Sequence, residues 1–359
     1  MEIQTAREKA MAGERLSLAD AMALYEENDL LFLADAARRA KERKSGRKVF
    51  YTVNRHINLT NVCSSNCPLC AFQVEEGDAR GFTLEKADIE RILADAKQTK
   101  NLSEVHIVSA LHPDKPFSYY RDIVQMVKAA LPAVDVKAFT PVEIVNFAKL
   151  EHRSVEAILR ELKEAGLVSL PGGGAEILSD RVRGKLCPNK ATADEWLMVA
   201  RTAHELGIKT NASMLYGHIE TVEERVEHMM RLRDLQDETG GFQTFIPFPF
   251  LPSNTELGQT VRQTSMWDDL RTIAISRLML DNFRNIKAYW VMLTVPVAQI
   301  ALGFGANDID GTVHKETILH DAGAKSPRAL SEDHIIRIIR EIGRTPAACD
   351  SNFNIIETY

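Results

Sequence analysis

From about residue 50 onward, short strand-like segments alternate with longer helix-like segments, and this alternation limits the folds open to the chain. The predicted strands cover 53–59, 104–109, 134–139, 167–170, 208–215, 242–246, 286–292 and 308–313. The predicted helices cover 84–99, 119–131, 154–164, 193–206, 222–238, 268–282 and 296–304. Alternating β and α segments favour a parallel sheet. Eight such units in about 265 residues predict an α/β fold of the (βα)8 TIM-barrel type, with a doubly wound sheet as the alternative.

Three regions are predicted along the chain. Residues 1–48 are expected to form an N-terminal helical extension, because Ser17 and the acid three residues after it resemble a capping box before an apolar-periodic stretch. The barrel is expected to cover residues 49–325. Residues 326–359 are predicted to add one helix, over 330–342, followed by an irregular tail.

Composition and charge exclude several classes of protein. The chain has 359 residues, 45% of them hydrophobic, which is enough for a full core without disulfides. Its net charge of −6 argues against a nucleic-acid partner, since such proteins usually carry a basic excess. No apolar run reaches the roughly 18 residues of a membrane span, and the N-terminus lacks the apolar stretch of a secretory signal. We therefore expect a cytoplasmic protein that binds no membrane.

Three of the five cysteines lie close together, directly after the first predicted strand. They are Cys63, Cys67 and Cys70 in the segment NLTNVCSSNCPLCAF, with the spacing Cys-x3-Cys-x2-Cys. In a parallel barrel this loop lies at the C-terminal face, where active sites are built. Soft thiolate ligands select zinc, copper(I) or iron–sulfur clusters. The segment is therefore predicted to be a metal site.

The number of ligands favours a catalytic cluster. Structural zinc sites and electron-transfer clusters usually take four protein ligands, whereas Cys187 and Cys349 lie far along the chain. Three thiolates on a [4Fe-4S] cluster leave one iron open to a small chelating molecule. The alternative is a Cys3His zinc site that uses His56 or His112, and the tight cysteine spacing disfavours it.

This cysteine spacing resembles the signature of the radical S-adenosylmethionine (SAM) superfamily. The resemblance implies that the amino and carboxylate groups of SAM chelate the open iron. It also implies that one electron from the cluster cleaves SAM into methionine and a 5′-deoxyadenosyl radical. The residue before the third cysteine is usually aromatic in that superfamily but is Leu69 here, a departure that affects packing rather than ligation.

Further segments after predicted strands resemble SAM-binding regions of the superfamily. The small-residue turn SA (109–110) allows close backbone approach to the SAM amino group, and the acid of PGGGAE (171–176) is a candidate partner for a ribose hydroxyl. A helix-start carboxylate is the alternative role for that acid. NASMLYGHIE (211–220) resembles the region that packs on adenine. The predicted SAM-binding residues are Ser109, Ala110, Glu176, Tyr216, Gly217 and Glu220.

A closer resemblance covers residues 50 to about 325. The stretches EVHIVSALHP, LPGGGAEILSDRVR, KTNASMLYGHIET, LQDETGGFQTFIPF, KAYWVM and GANDIDGTV resemble the aminofutalosine synthases of futalosine-dependent menaquinone biosynthesis. Dehypoxanthine futalosine cyclase and the radical subunit of FO synthase share the cysteine motif and remain as alternatives. The resemblance implies that the adenosyl radical adds to 3-[(1-carboxyvinyl)oxy]benzoate, and that rearrangement and decarboxylation give 6-amino-6-deoxyfutalosine. SAM would be consumed, and a flavodoxin or ferredoxin would supply electrons.

A substrate of this kind carries two carboxylates and one aromatic ring. The site should therefore offer hydrogen-bond donors beside an apolar wall. The candidates by strand-end position are His56, His112, Arg181 and Tyr289. A loop histidine fixed by Pro113 is the alternative for His112, and an ordinary surface arginine is the alternative for Arg181.

Overall fold

Short strands followed by helices run through the computed structural model, which describes residues 2–359. The strands are β1 (Lys48–Thr52), β2 (Asn54–Ile57), β3 (Glu104–Ile107), β4 (Asp135–Ala138), β5 (Leu167–Leu170), β6 (Lys209–Tyr216), β7 (Phe242–Pro249), β8 (Asn285–Ile286), β9 (Asp308–Gly311), β10 (Thr345–Cys349) and β11 (Ile355–Thr358). The helices are α1 (Glu2–Ala12), α2 (Leu18–Tyr25), α3 (Leu30–Ser45), α4 (Lys86–Ala96), α5 (Phe117–Ala130), α6 (Pro141–Leu150), α7 (Val155–Ala165), α8 (Asp180–Leu186), α9 (Ala193–Glu205), α10 (Val222–Thr239), α11 (Met266–Met279), α12 (Trp290–Leu293), α13 (Val295–Ala301), α14 (Ile318–Asp321) and α15 (Glu332–Glu341).

The strands close into a barrel. Strands β2 to β8 form a parallel sheet in sequence order. Strand β9 fills the remaining place, because the Ala288 amide donates to the Asp308 carbonyl (2.8 Å) after β8, and the His56 amide donates to the His314 carbonyl (2.9 Å) on the other side. The predicted (βα)8 barrel is thus confirmed, and the doubly wound alternative, which would leave the sheet open, is excluded.

Helix α7 illustrates how the outer layer follows from the sequence. It begins at Ser154, whose hydroxyl accepts the Ala157 amide, and ends at Gly166 in the left-handed conformation (φ 112°). Its buried face, which includes Leu159 and Leu162, packs against α5, α6 and α9. Each fully buried leucine stabilises this packing by about 1.5–3 kcal/mol relative to exposure.

Two predicted strands differ from the observed ones. The segment 53–59 holds only β2, and β1 just before it belongs to a second sheet in the order β11-β10-β1-β9. The segment 286–292 is a strand only at its start, and it turns into α12. Its run AYWVML is buried throughout, and a continuous apolar run fits a helix as well as a strand.

The C-terminal tail is not irregular, so that expectation is wrong. Strand β10 pairs in parallel with β1, and β11 pairs antiparallel with β10. Phe50, Ala347, Cys349 and Phe353 form a small separate core between these strands and their turn. A partner nearly 300 residues away leaves no local pattern, so the sequence could not reveal this pairing.

The N-terminal helices lie against the barrel's outer layer, with α3 packed on α11 and α2 packed on α10. The predicted capping box is present, since the Ser17 hydroxyl accepts the Asp20 amide and the Asp20 carboxylate accepts the Ser17 amide (2.9 Å). The division at residues 48 and 325 stays a prediction. Within residues 2–359, no helix has both the length and the apolar character to span a bilayer.

Arg277 gives a test of barrel closure. Its fully buried guanidinium donates to the Gly305 carbonyl (2.9 Å), the Asn307 side chain (2.7 Å) and the Phe283 carbonyl (3.2 Å), which connects α11 to the chain entering β9. Arg277→Met should lower the free energy of unfolding by about 3 kcal/mol, because buried acceptors lose their donors. Urea unfolding followed by circular dichroism measures this loss. Arg39→Met, at an exposed arginine of α3, is the control and should cost less than about 1 kcal/mol. If the two variants lost the same free energy of unfolding, Arg277 would have no special role in barrel closure.

Candidate active site

The cysteine loop, residues 58–85, follows the carboxyl end of β2. Backbone hydrogen bonds fix its shape: the Cys63 amide donates to the Val74 carbonyl (3.0 Å), and the Cys70 amide donates to the Cys67 carbonyl (3.0 Å). All three cysteines line one cavity of about 310 Å³ inside this end of the barrel. The loop therefore directs three thiols into a single space.

The donor set fits a cluster with three protein ligands. All five cysteines are free thiols, and neither Cys187 nor Cys349 lines the cavity. Burial raises the pKa of the Cys67 thiol to about 12, and the nearby ammonium of Lys190 opposes that rise. Among residues 2–359, no three His, Cys, Asp or Glu side chains are placed to hold a single metal ion, as the zinc alternative requires. Three thiols and an adjoining open space match a four-iron cluster with one iron left for a small ligand.

Three of the predicted SAM-binding residues meet at this cavity. Ser109 and Ala110 line it after β3, and Glu176 lines it after β5. Gly172 lies so close to the backbone of β6 that a Cβ there would come within 2.7 Å of the Asn211 carbonyl carbon. Only glycine fits this position, and the tight turn brings the Glu176 carboxylate to the cavity.

The other predicted SAM-binding residues lie just beyond the cavity lining. The Tyr216 hydroxyl donates to Asp269 (2.9 Å), and the Gly217 amide donates to the Glu220 carboxylate (2.6 Å). These bonds hold the turn between β6 and α10, and the neighbouring Leu215 is the residue that lines the cavity. Their contact with SAM stays a prediction.

Two predicted substrate ligands lie outside the cavity lining. His112 accepts the Asp114 amide through Nδ1 (3.1 Å), which makes it part of its own turn. Arg181 is an exposed side chain on α8 that pairs with Glu224 (2.5 Å). Strand-end position places a residue near the barrel mouth, but it does not fix the direction in which the following loop turns.

The other two candidates line the cavity. His56 stacks on His106 with ring centroids 4.5 Å apart and an interplanar angle of 8°. Burial lowers the pKa of His56 to about 3, which keeps the ring neutral, and its Nε2 atom has no hydrogen-bond partner. Tyr289 is 6% exposed and meets the Phe248 ring edge-on at 5.3 Å. The cavity lining thus contains a group of polar side chains, here called its polar side, and a group of aromatic rings.

Buried ion pairs on the polar side were not predicted from the sequence. Lys137 pairs with Glu104 (2.5 Å), while Lys287 pairs with Asp310 and lies 3.4 Å from Asp308. Except for Asp308, these residues line the cavity. Alternate residues of a barrel strand face the interior. Charged residues at alternate positions of the predicted strands, as in EVHI (104–107) and DID (308–310), could therefore have identified these buried acids.

Two family models match successive parts of the chain. The radical SAM superfamily model matches residues 57–232, and the CofH/MqnC C-terminal region model matches residues 239–358. An aminodeoxyfutalosine synthase of Thermus thermophilus is 44% identical over 98% of this chain and 95% of its own length. The chain belongs to the radical SAM superfamily. Membership implies a [4Fe-4S] cluster and SAM, and the resemblance to aminofutalosine synthases is confirmed.

Other relatives widen the comparison. A 5-amino-6-(D-ribitylamino)uracil–L-tyrosine 4-hydroxyphenyl transferase of Methanothermobacter thermautotrophicus is 41% identical over 92% of this chain and 90% of its own length. The crystal structure of methylornithine synthase has a TM-score of 0.76 at 18% identity, covering 95% of this chain and 97% of that chain. This structural similarity shows that the chain and methylornithine synthase share the same fold.

The cysteine ligands are tested by paired substitutions. Cys67→Ala should reduce iron after anaerobic reconstitution to background, because the cluster would lose one of three anchors. Cys187→Ala removes a buried thiol outside the cavity lining and should keep iron and the visible cluster absorbance near the unsubstituted level. Full iron content in the Cys67 variant would show that this residue is not a ligand.

Proposed function

We propose that the protein is an aminodeoxyfutalosine synthase that joins the adenosyl group of SAM to 3-[(1-carboxyvinyl)oxy]benzoate. Rearrangement and decarboxylation then give 6-amino-6-deoxyfutalosine. The observation that carries the proposal is the 44% identity to a relative of that name over nearly the whole of both chains. The resulting requirements are a SAM site, a site for two carboxylates and a surface for one aromatic ring.

SAM is proposed to lie on the cysteine side of the cavity. When bound, the cluster supplies the electron that cleaves SAM into methionine and a 5′-deoxyadenosyl radical, and a flavodoxin or ferredoxin is the proposed electron donor. The small residues Ser109 and Ala110 leave room for the SAM amino group. Glu176 can accept a ribose hydroxyl through its second carboxylate oxygen, since Lys190 bonds the first (2.9 Å).

The substrate carboxylates are proposed to bind the polar side of the cavity. Lys137 and Lys287 are already fixed by buried carboxylates, and each ammonium has three hydrogens to donate. The unpartnered Nε2 of neutral His56 offers a further donor. A buried polar atom without a partner costs about 1–3 kcal/mol, so a ligand carboxylate that accepts this hydrogen bond relieves that cost.

The aromatic ring of the substrate is proposed to pack against the aromatic rings of the cavity lining. Tyr289 and Phe248 stand edge-to-face there, and Ile246, Phe250 and Met292 complete an apolar lining. An aryl group packed on these rings would be held in place while its carboxylates bind the lysines. The apolar wall also excludes water, which protects a carbon radical from side reactions.

The reaction is tested with isotope-labelled SAM. The anaerobically reconstituted protein, a reductant and the enolpyruvyl benzoate should convert adenosyl-labelled SAM into a coupled product whose mass matches 6-amino-6-deoxyfutalosine. A parallel reaction with L-tyrosine and 5-amino-6-(D-ribitylamino)uracil should yield no coupled product. Release of free 5′-deoxyadenosine alone in the first reaction, or coupling in the second, would overturn the assignment.

The aromatic wall is tested at Tyr289. Tyr289→Ala removes a ring from the substrate surface and should raise KM for the enolpyruvyl benzoate about tenfold, which corresponds to the roughly 1.4 kcal/mol of one lost aromatic contact. The KM for SAM should stay unchanged. Tyr289→Phe keeps the ring and should resemble the unsubstituted enzyme. An equal rise in both KM values for the alanine variant would argue for general disruption instead.

A further inference from the structure

Lys190 is a largely buried lysine at the cysteine side of the cavity. It lies in the turn between α8 and α9, and only 15% of its side chain is exposed. Its ammonium is 2.9 Å from Glu176 and interacts electrostatically with the thiols of Cys67, Cys70 and Cys187. Lys190, Cys67 and Cys70 line the same cavity, so one cation shares this space with two of the proposed cluster ligands.

The turn that carries Lys190 is firmly attached to its surroundings. The Arg183 side chain donates to the carbonyls of Ala175 (2.6 Å) and Ala191 (3.1 Å), which joins the turn to the loop of Glu176. Asn189 donates to the Ser65 carbonyl (3.3 Å) inside the cysteine loop. The backbone at Lys190 is consequently fixed beside the cysteine loop, and its ammonium bonds Glu176 at the cavity (2.9 Å).

A fixed positive charge has a predictable effect on a nearby redox group. Reduction adds one negative charge to an iron–sulfur cluster, and its potential depends on local charge, hydrogen bonds and solvent exposure. A cation within a poorly hydrated cavity stabilises the more negative, reduced state far more than it would in water. The neighbouring carboxylate of Glu176 acts in the opposite sense.

We propose that Lys190 raises the reduction potential of the cluster, and that Glu176 holds the ammonium in place and limits this effect. The proposal concerns electron entry and requires the cluster, but it does not depend on which substrate the radical attacks. Lys190 is thus a positioning residue for the electrostatics of the cluster, in addition to its contact with the proposed SAM site.

The test measures the midpoint potential without SAM. Lys190→Met, Lys190→Arg and Glu176→Gln variants are reconstituted anaerobically, matched for iron and sulfide, and titrated while the EPR signal of the reduced cluster is followed. Lys190→Met should shift the midpoint to a more negative value, Glu176→Gln should shift it to a more positive value, and Lys190→Arg should leave it nearly unchanged. Lys185→Met removes an exposed lysine of α8 and should leave the midpoint unchanged.

The outcomes separate an effect of Lys190 on the cluster from an effect on SAM binding and from the choice of substrate. An unchanged midpoint in Lys190→Met with a full cluster would overturn it, even if that variant bound SAM weakly, because the lysine would then act on SAM alone. If Lys190→Met fails to hold the cluster, Lys190→Gln, which removes the charge but keeps a polar side chain, decides: a negative shift supports the proposal, and its absence overturns it. Failure of the coupling reaction with an intact Lys190 shift would reject the proposed substrate and leave this inference standing.

Discussion

The pairing of Lys287 with Asp308 and Asp310 inside the barrel is the interaction on which the site depends. Strand β8 is only two residues long, and Lys287 follows it directly, so this lysine joins the end of the main sheet to the closing strand β9. Asp310 adopts a positive φ of 74°, which is uncommon for a residue with a side chain. A strained backbone of this kind persists when its surroundings fix it, and here it belongs to a residue that pairs with the buried ammonium.

The opposite end of the barrel supports the same polar side. Ser351, in the turn after β10, donates to the Glu104 carboxylate (2.7 Å) that pairs with Lys137. The second sheet therefore does more than cover the barrel, because its C-terminal turn holds an acid that fixes a cavity lysine. A chain that lost this turn would leave Glu104 with one donor fewer in a buried position, where an unsatisfied carboxylate is costly.

The sequence predicted the parts of the site that depend on local pattern. The cysteine spacing, the small residues at Ser109 and Ala110 and the acid at Glu176 all lie where a parallel barrel would bring them together. The sequence does not fix the direction in which a loop turns: Arg181 follows the expected strand, but its side chain bonds Glu224 on α10, and its contact with substrate stays a prediction. It also missed Lys190, because a turn between two helices carries no strand-end pattern even though the fold brings it to the cysteines.

The distribution of charge in the cavity follows from what a radical reaction demands of its surroundings. The proposed substrate has two carboxylates, and an unpaired ammonium buried in a cavity would lose its proton or its position. Lysines already paired with fixed carboxylates avoid both outcomes, since their charge and geometry are set before the substrate enters. The same arrangement recurs at Lys190 with Glu176 on the cysteine side. The ion pairs of Lys137, Lys287 and Lys190 thus give one cavity, lined elsewhere by apolar side chains, several fixed cations for anionic groups.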